Sequence, residues 1–301
     1  MPTIDMIPAV TDPVHLLLIG DTKAGKSTYA AQAAKDGFNV IYIDCDNGLS
    51  ALRYALGNDV EAQRRVHYFH TSRPVEFIRN FLRSTEKSPL RWNPRLNRVW
   101  GKLATGVEPN DPIWVIDITK VPKSWLIVID SWTAVSADAL GIGAADQRAE
   151  LLEGTNQGIY GEANTALTYI CNMIQKLPQH VLVQAHGTKF EVYDKPTGVT
   201  AGQMKQKDMV LRETIDVPLS SSRPHGQTMA SRFNHIGWLG VNRLGETEID
   251  FTRTSTRVGG GPPNRKAKTN DLTFLKLVGG KPEPESADGW FVEKTHEALA
   301  A

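Results

Sequence analysis

The stretch GDTKAGKST, Gly20 to Thr28, follows an apolar run, "VHLLLI" (14–19), and precedes an alanine-rich segment, "KSTYAAQAAKDG" (26–37). It fits G-x-x-x-x-G-K-[ST], and the run before it predicts a strand as the segment after it predicts a helix closed by Gly37. Each residue type has a physical reason. Gly20 and Gly25 permit the backbone angles that turn successive amides toward phosphate oxygens. The helix N-terminus adds partial positive charge. Lys26 reaches the terminal phosphates, and the Ser27 hydroxyl suits Mg²⁺. The loop therefore predicts a nucleotide cradle built from Gly20, Asp21, Thr22, Lys23, Ala24, Gly25, Lys26, Ser27 and Thr28, with ATP and Mg²⁺ as the cofactors.

Outward from this loop, short apolar runs alternate with helical segments. "NVIYI" (39–43), "WLIVI" (125–129), "HVLVQ" (180–184) and "HIGWLGV" (235–241) follow the first run. Most are continuously apolar and do not alternate, the mark of parallel strands covered on both faces. The fold class expected is α/β, a P-loop NTPase with a mainly parallel central sheet flanked by helices. "WLIVIDSWTA" ends its strand on Asp130. A carboxylate there sits where open α/β sheets bind ligands, and it is expected to hold Mg²⁺ through water, together with Ser27. "VIYIDCDNGL" (40–49) ends on two acids, Asp44 and Asp46. Either both close a turn before Asn47-Gly48, or one serves the site.

Bulk properties narrow the class. The chain has 301 residues, 41% hydrophobic and 22% charged, with net charge +1, so a polyanion must be met by a local patch. Cys45 and Cys171 are too far apart in sequence for a disulfide framework or a metal site, which suggests a reducing cytoplasm. No window has the roughly 18 apolar residues of a membrane span, and no membrane partner is expected. One ATPase domain is predicted over 1–278, carrying an insertion at about 85–115 and a long polar loop at about 187–234. A flexible C-terminal tail is predicted over 279–301.

At "WLIVIDSWTAV" and "YIDCDNGLSA" the chain resembles the bacterial recombinase RecA family, and most of all the compact phage RecA-like ATPases that act as single-strand annealing proteins. The resemblance spans about 14–258. It implies a RecA-like core and an ATPase that binds single-stranded DNA and forms a filament or ring with copies of itself. Its role would be annealing or homologous recombination, in a bacterial host's cytoplasm if phage-encoded. Aligned on Ile43-Asp44, the family's water-activating glutamate falls on Asp46, one methylene shorter. Asp44 then braces the turn. The family's γ-phosphate-sensing glutamine falls on His186, with Gln184 on the same face of the strand. Arg253, and less closely Arg257, match a basic residue that reaches a neighbouring subunit's nucleotide.

Three stretches could meet DNA. Residues 87–107 contain Lys87, Arg91, Arg95, Arg98 and Lys102 without an acid, interleaved with Trp92 and Trp100 for stacking. Residues 187–234 include Lys189, Lys195, Lys205 and Lys207 in the place of the recombinase DNA loop. Residues 251–270 are basic and rich in glycine and proline. Each alone reads as a solvated face; together on such a core they favour single-stranded DNA as a partner. The tail could dock a single-strand-binding protein. The competing class is a nucleotide-dependent switch or assembly ATPase acting on protein partners without DNA. A small-molecule kinase with 251–270 as its lid fits "IDSW" and "DCD" less well.

Overall fold

Strand β1 (His15–Gly20) is buried along its whole length, and its side chains split between two cores. Leu17 and Ile19 enter one cluster, Leu16 and Leu18 the other. That division explains why the run is continuously apolar: a strand sandwiched between two helical layers has no wet face. The computed structural model describes residues 13–99, 108–147, 157–194, 210–220, 223–254, 257, 259, 265–282 and 288–300. Helix α1 (Lys26–Lys35) leads to β2 (Val40–Asp44). Helices α2 (Leu49–Leu56) and α3 (Val60–Arg64) then precede β3 (Val66–His70). Helix α4 (Pro74–Phe81) follows, and after it β4 (Leu90–Asn93), β5 (Arg98–Val99) and β6 (Pro112–Ile116). The core resumes with β7 (Leu126–Asp130), α5 (Trp132–Gln147), α6 (Gln157–Ile174) and β8 (His180–Ala185). The chain continues through β9 (Gly187–Asp194), β10 (Val210–Pro218), α7 (Arg223–Ala230), β11 (His235–Val241), β12 (Thr247–Asp250) and β13 (Lys266–Lys268). It closes with α8 (Phe274–Val278), β14 (Phe291–Thr295) and α9 (His296–Ala300).

The main sheet has eight strands in the order β13-β12-β11-β1-β8-β7-β2-β3. The six from β11 to β3 are parallel, and β12 and β13 add an antiparallel edge. Helices α1, α2, α3 and α8 contribute to the core on one face; α4, α5, α6 and α7 contribute to that on the other. This is the α/β P-loop NTPase architecture that the sequence predicts. All five expected strands are present within a residue of their expected ends. Because β8 lies between β1 and β7, the ends of β2, β7, β8 and β1 form one row. Asp44, Asp130 and Gln184 are paired across it in register, and the phosphate loop opens from its far side.

Three expectations need correction. The insertion is a second, antiparallel sheet in the order β14-β6-β4-β5, and its outermost strand comes from the tail. The tail is therefore no flexible appendage over residues 288–300. Trp290 is buried, edge-on to His67 and Trp125, and Phe291 packs edge-on to Phe69. The glycine and proline content at its start hid this, because the burial rests on two aromatic residues far from their partners in sequence. The long loop at 187–234 is an antiparallel ribbon of β9 and β10 followed by α7, with 195–209 outside the described residues. The sixth parallel strand, β3, escaped the sequence reading. It is an edge strand and, being half-exposed, carries histidine and tyrosine in place of aliphatic residues.

At the opposite end of the sheet from the acids, His15, His180 and His235 lie buried on neighbouring strands. His180 Nδ1 accepts the Val14 N–H at 3.0 Å, and its ring meets Phe38 and Phe274 edge-on. Burial holds all three below the usual histidine range, His180 at about 4. In the unfolded chain these rings take protons near pH 6.5, so the unfolded state binds more protons than the native state below that pH. The three rings' contribution to stability is therefore complete above about pH 7 and falls as pH drops from 6.5 toward 4, His180 alone accounting for about 3 kcal/mol. Urea midpoints at pH 7.5, 5.5 and 4.5 should decline in that order. A midpoint constant across the series would contradict the assignment.

Candidate nucleotide site

The loop after β1 is shaped for anions. Gly25 has φ 96° and Lys23 φ 66°, both left-handed, so the loop's amides turn to one side. Gly20 has a separate reason: a Cβ there would lie 2.7 Å from the Leu239 carbonyl oxygen of β11. Helix α1 starts at Lys26 with no side chain capping it and no acid in its first turn, which leaves its first N–H groups open to a ligand. Lys26 Nζ donates to the carbonyls of Gly20 and Asp21, each at 2.9 Å. Burial pulls its pKa down, and Asp130, Asp46 and Asp21 oppose that pull. A triphosphate would supply the charge partner that two neutral carbonyls do not.

The acids divide their work. Asp44 is wholly buried. Its Oδ1 accepts the N–H groups of Asp46 at 3.1 Å and Gly48 at 3.0 Å, and its Oδ2 accepts the Tyr68 hydroxyl. With one oxygen bonded to two amides of the turn, Asp44 serves as its brace. Asp46 is exposed, and its side chain faces the cleft. Asp130 is buried beside the Ser27 hydroxyl, which donates to its Oδ2 at 3.3 Å; Tyr42 donates to the same oxygen. Burial first, and the charges of Asp46 and Asp44 after it, raise the Asp130 carboxyl to about 6 against the pull of the Tyr42 and Ser27 bonds. A divalent cation there would restore the ionised form. The donors fit Mg²⁺: a hydroxyl and a carboxylate, oxygen only, at the foot of a phosphate loop. Among the described residues no cluster of three or more His, Cys, Asp or Glu could hold a metal ion.

The cleft between these groups measures about 580 Å³. Lys23, Lys26 and Ser27 of the phosphate loop line it together with Asp46, Asp130 and His186. His186 is half-buried and held below the usual histidine range, first by burial and then by Lys26. Its N–H donates to Thr133 Oγ1 at 3.2 Å, and its carbonyl accepts Leu219 N–H at 2.7 Å. This residue thus joins the cleft to α5 and to the chain just beyond β10. Gln184 lies beneath, wholly buried. Its amide donates to the Lys26 carbonyl at 3.1 Å, while its Oε1 has no hydrogen-bond partner. Tyr54, on α2 at the cleft rim and 90% exposed, was not singled out by sequence. The signal was an aromatic residue one helix away from the acid-tipped strand.

The remaining candidates separate. Arg253 is exposed. Arg257 is engaged within its own chain: its guanidinium pairs with Asp250 and lies 5.5 Å from the Trp238 ring centroid. Trp92 is wholly buried, edge-on to Phe77. It is a core residue and offers no face to a base, which corrects the stacking role expected of it. Arg95 forms two bonds of 2.6 Å to Asp111. Arg91 on β4 is exposed, Arg98 on β5 half-exposed, and Lys189 on β9 exposed. Lys195, Lys205 and Lys207 lie outside the described residues.

A six-stranded parallel core with a phosphate loop after an inner strand, and a carboxylate at the end of a nearby strand, defines the class of P-loop ATPases. Within it the chain belongs to the AAA domain family, whose model matches residues 12–223. The match runs from just before β1 to the start of α7, so the edge strands β11 to β13 complete the sheet beyond it. No curated protein matches the chain at a significant level. No helix among the described residues is long and apolar enough to cross a membrane.

Proposed function

We propose that this AAA-type ATPase binds Mg-ATP in the cleft beside Lys26 and couples its hydrolysis to assembly on single-stranded DNA, for annealing or homologous recombination. The observation that carries the catalytic part is the convergence of Lys26, Ser27, Asp46 and Asp130 on one cleft. In this reading the loop amides and Lys26 hold the β- and γ-phosphates. Ser27 and Asp130 hold Mg²⁺, which neutralises charge on the phosphate oxygens. Asp46 aims water at the γ-phosphorus and takes its proton, while Asp44 stays committed to the turn. His186 meets the γ-phosphate, and Arg253 serves a neighbouring copy's nucleotide, so that the assembled form turns over faster.

Support for DNA comes from connectivity. The β9–β10 ribbon begins at the residue after His186 and returns to bond its carbonyl. Lys189 is exposed on the ribbon, and in the sequence Lys195, Lys205 and Lys207 fall between its two strands. A bacterial cytoplasm suits such a substrate. The test is twofold. Single-stranded DNA should stimulate ATP hydrolysis and yield filaments or rings with ATP. Its binding should weaken steeply with salt, with a log–log slope of about −0.7 per phosphate contacted. Flat ATPase rates and salt-independent binding would instead favour an ATPase acting on protein partners.

A further inference from the structure

Tyr42 lies on β2, two residues before Asp44, wholly buried in the core under α1. Val128, Leu182 and Leu52 share that core, and for packing alone a phenylalanine would serve. A buried hydroxyl carries a desolvation cost unless it is bonded. This one is bonded: it donates to Asp130 Oδ2, the oxygen that also accepts Ser27 Oγ at 3.3 Å. Burial and the adjoining carboxylate push the phenol's pKa well above its ordinary value, so the group remains a donor. Two hydroxyls thus meet on one carboxylate oxygen, and the carboxylate plane cannot turn without breaking both bonds.

A second phenol provides an internal comparison. Tyr68 stacks on Tyr42 with ring centroids 6.3 Å apart and donates to Asp44 Oδ2. Asp44 spends its other oxygen on the backbone of the turn that carries Asp46. The two tyrosines are therefore chemically alike, but they hold acids with different tasks.

We propose that Tyr42 is a positioning residue for the metal: it fixes the Asp130 carboxylate beside the Ser27 hydroxyl, so that Mg²⁺ arriving with the nucleotide meets two protein oxygens already oriented. This rests on the Mg-ATP reading of the cleft. Losing an outer hydrogen bond to a metal-holding group typically costs 10- to 100-fold in metal affinity. The phenol makes no use of nucleotide, so nucleotide affinity without metal is untouched.

The experiment uses the full chain, a fluorescent ATP analogue, and titration with MgCl₂ after binding has been measured in EDTA. Tyr42→Phe should raise the Mg²⁺ concentration for half-maximal enhancement of binding by about 10-fold or more, with EDTA affinity and thermal midpoint close to wild type. Tyr68→Phe, which removes the sister bond, should leave the Mg²⁺ midpoint within about twofold. The proposal is overturned if Tyr42→Phe leaves the Mg²⁺ midpoint unchanged, or if both variants shift it alike. It is also overturned if Tyr42→Phe weakens EDTA and Mg²⁺ binding equally. Mg²⁺-independent binding by the wild-type chain would overturn it together with the reading of the cleft, which separates that failure from the others. Mn²⁺ binding followed by its paramagnetic resonance gives the same comparison without turnover.

Discussion

Asp46→Asn should lower ATP turnover by about 10²- to 10⁴-fold while leaving ATP affinity within a few-fold of wild type. The geometry sets this apart from an ordinary loss of a charge. Asp46 is exposed in the cleft and no part of its side chain is needed to hold the turn, because Asp44 bonds the amides of Asp46 and Gly48. Asparagine has the same size and keeps a hydrogen-bonding oxygen, but it accepts no proton. Single-turnover hydrolysis and equilibrium binding of ATP separate the two effects. The paired substitution Asp44→Asn should behave in the opposite way. It removes a fully buried carboxylate that accepts three hydrogen bonds, so the loss falls on stability and the turn loosens. If Asp46→Asn hydrolyses ATP at the wild-type rate, Asp46 does not activate the water.

Lys26→Ala has the other large effect. Hydrogen bonds to charged groups contribute roughly 1.5–3 kcal/mol each. Losing the ammonium from the β- and γ-phosphates should therefore weaken ATP binding by about 10²-fold or more. Folding should survive, because in the free chain Lys26 bonds only two loop carbonyls and burial already opposes its charge. Thermal denaturation close to wild type, alongside lost binding, is the expected pair of results. Magnesium chelation should mimic part of this loss in the wild-type chain and add little in the variant.

Much of this site was legible in sequence because its parts are local. The spacing from Gly20 to Ser27 fixes a loop whose geometry depends on few residues beyond it, Asp44 and Asp130 each end a continuous apolar run, and Asp46 follows two residues after the first. Parallel strands covered on both faces write themselves plainly, since every position must be apolar. What stayed hidden depends on distant partners. Trp92 looked like a stacking residue because basic residues flank it, and only the tertiary contact with Phe77 makes it core. Trp290 sits in a tail with linker composition, yet His67 and Trp125 wait for it more than 150 residues earlier. Arg257 was the less close match of the two late arginines, but nothing in the sequence tied it to Asp250 and Trp238. The phenols behind the acids escaped for the same reason: a tyrosine within an apolar strand reads as packing until its hydroxyl is seen to reach a carboxylate.

The central claim is that a triphosphate is gripped by the Gly20–Thr28 loop where the parallel strands end. Calorimetric titration of ATP with Mg²⁺ into the wild-type chain and Lys26→Ala tests it most directly. One bound nucleotide per wild-type chain, with the heat lost in a variant that still melts like wild type, is the predicted result. Equal ATP affinity in the two proteins would contradict the account.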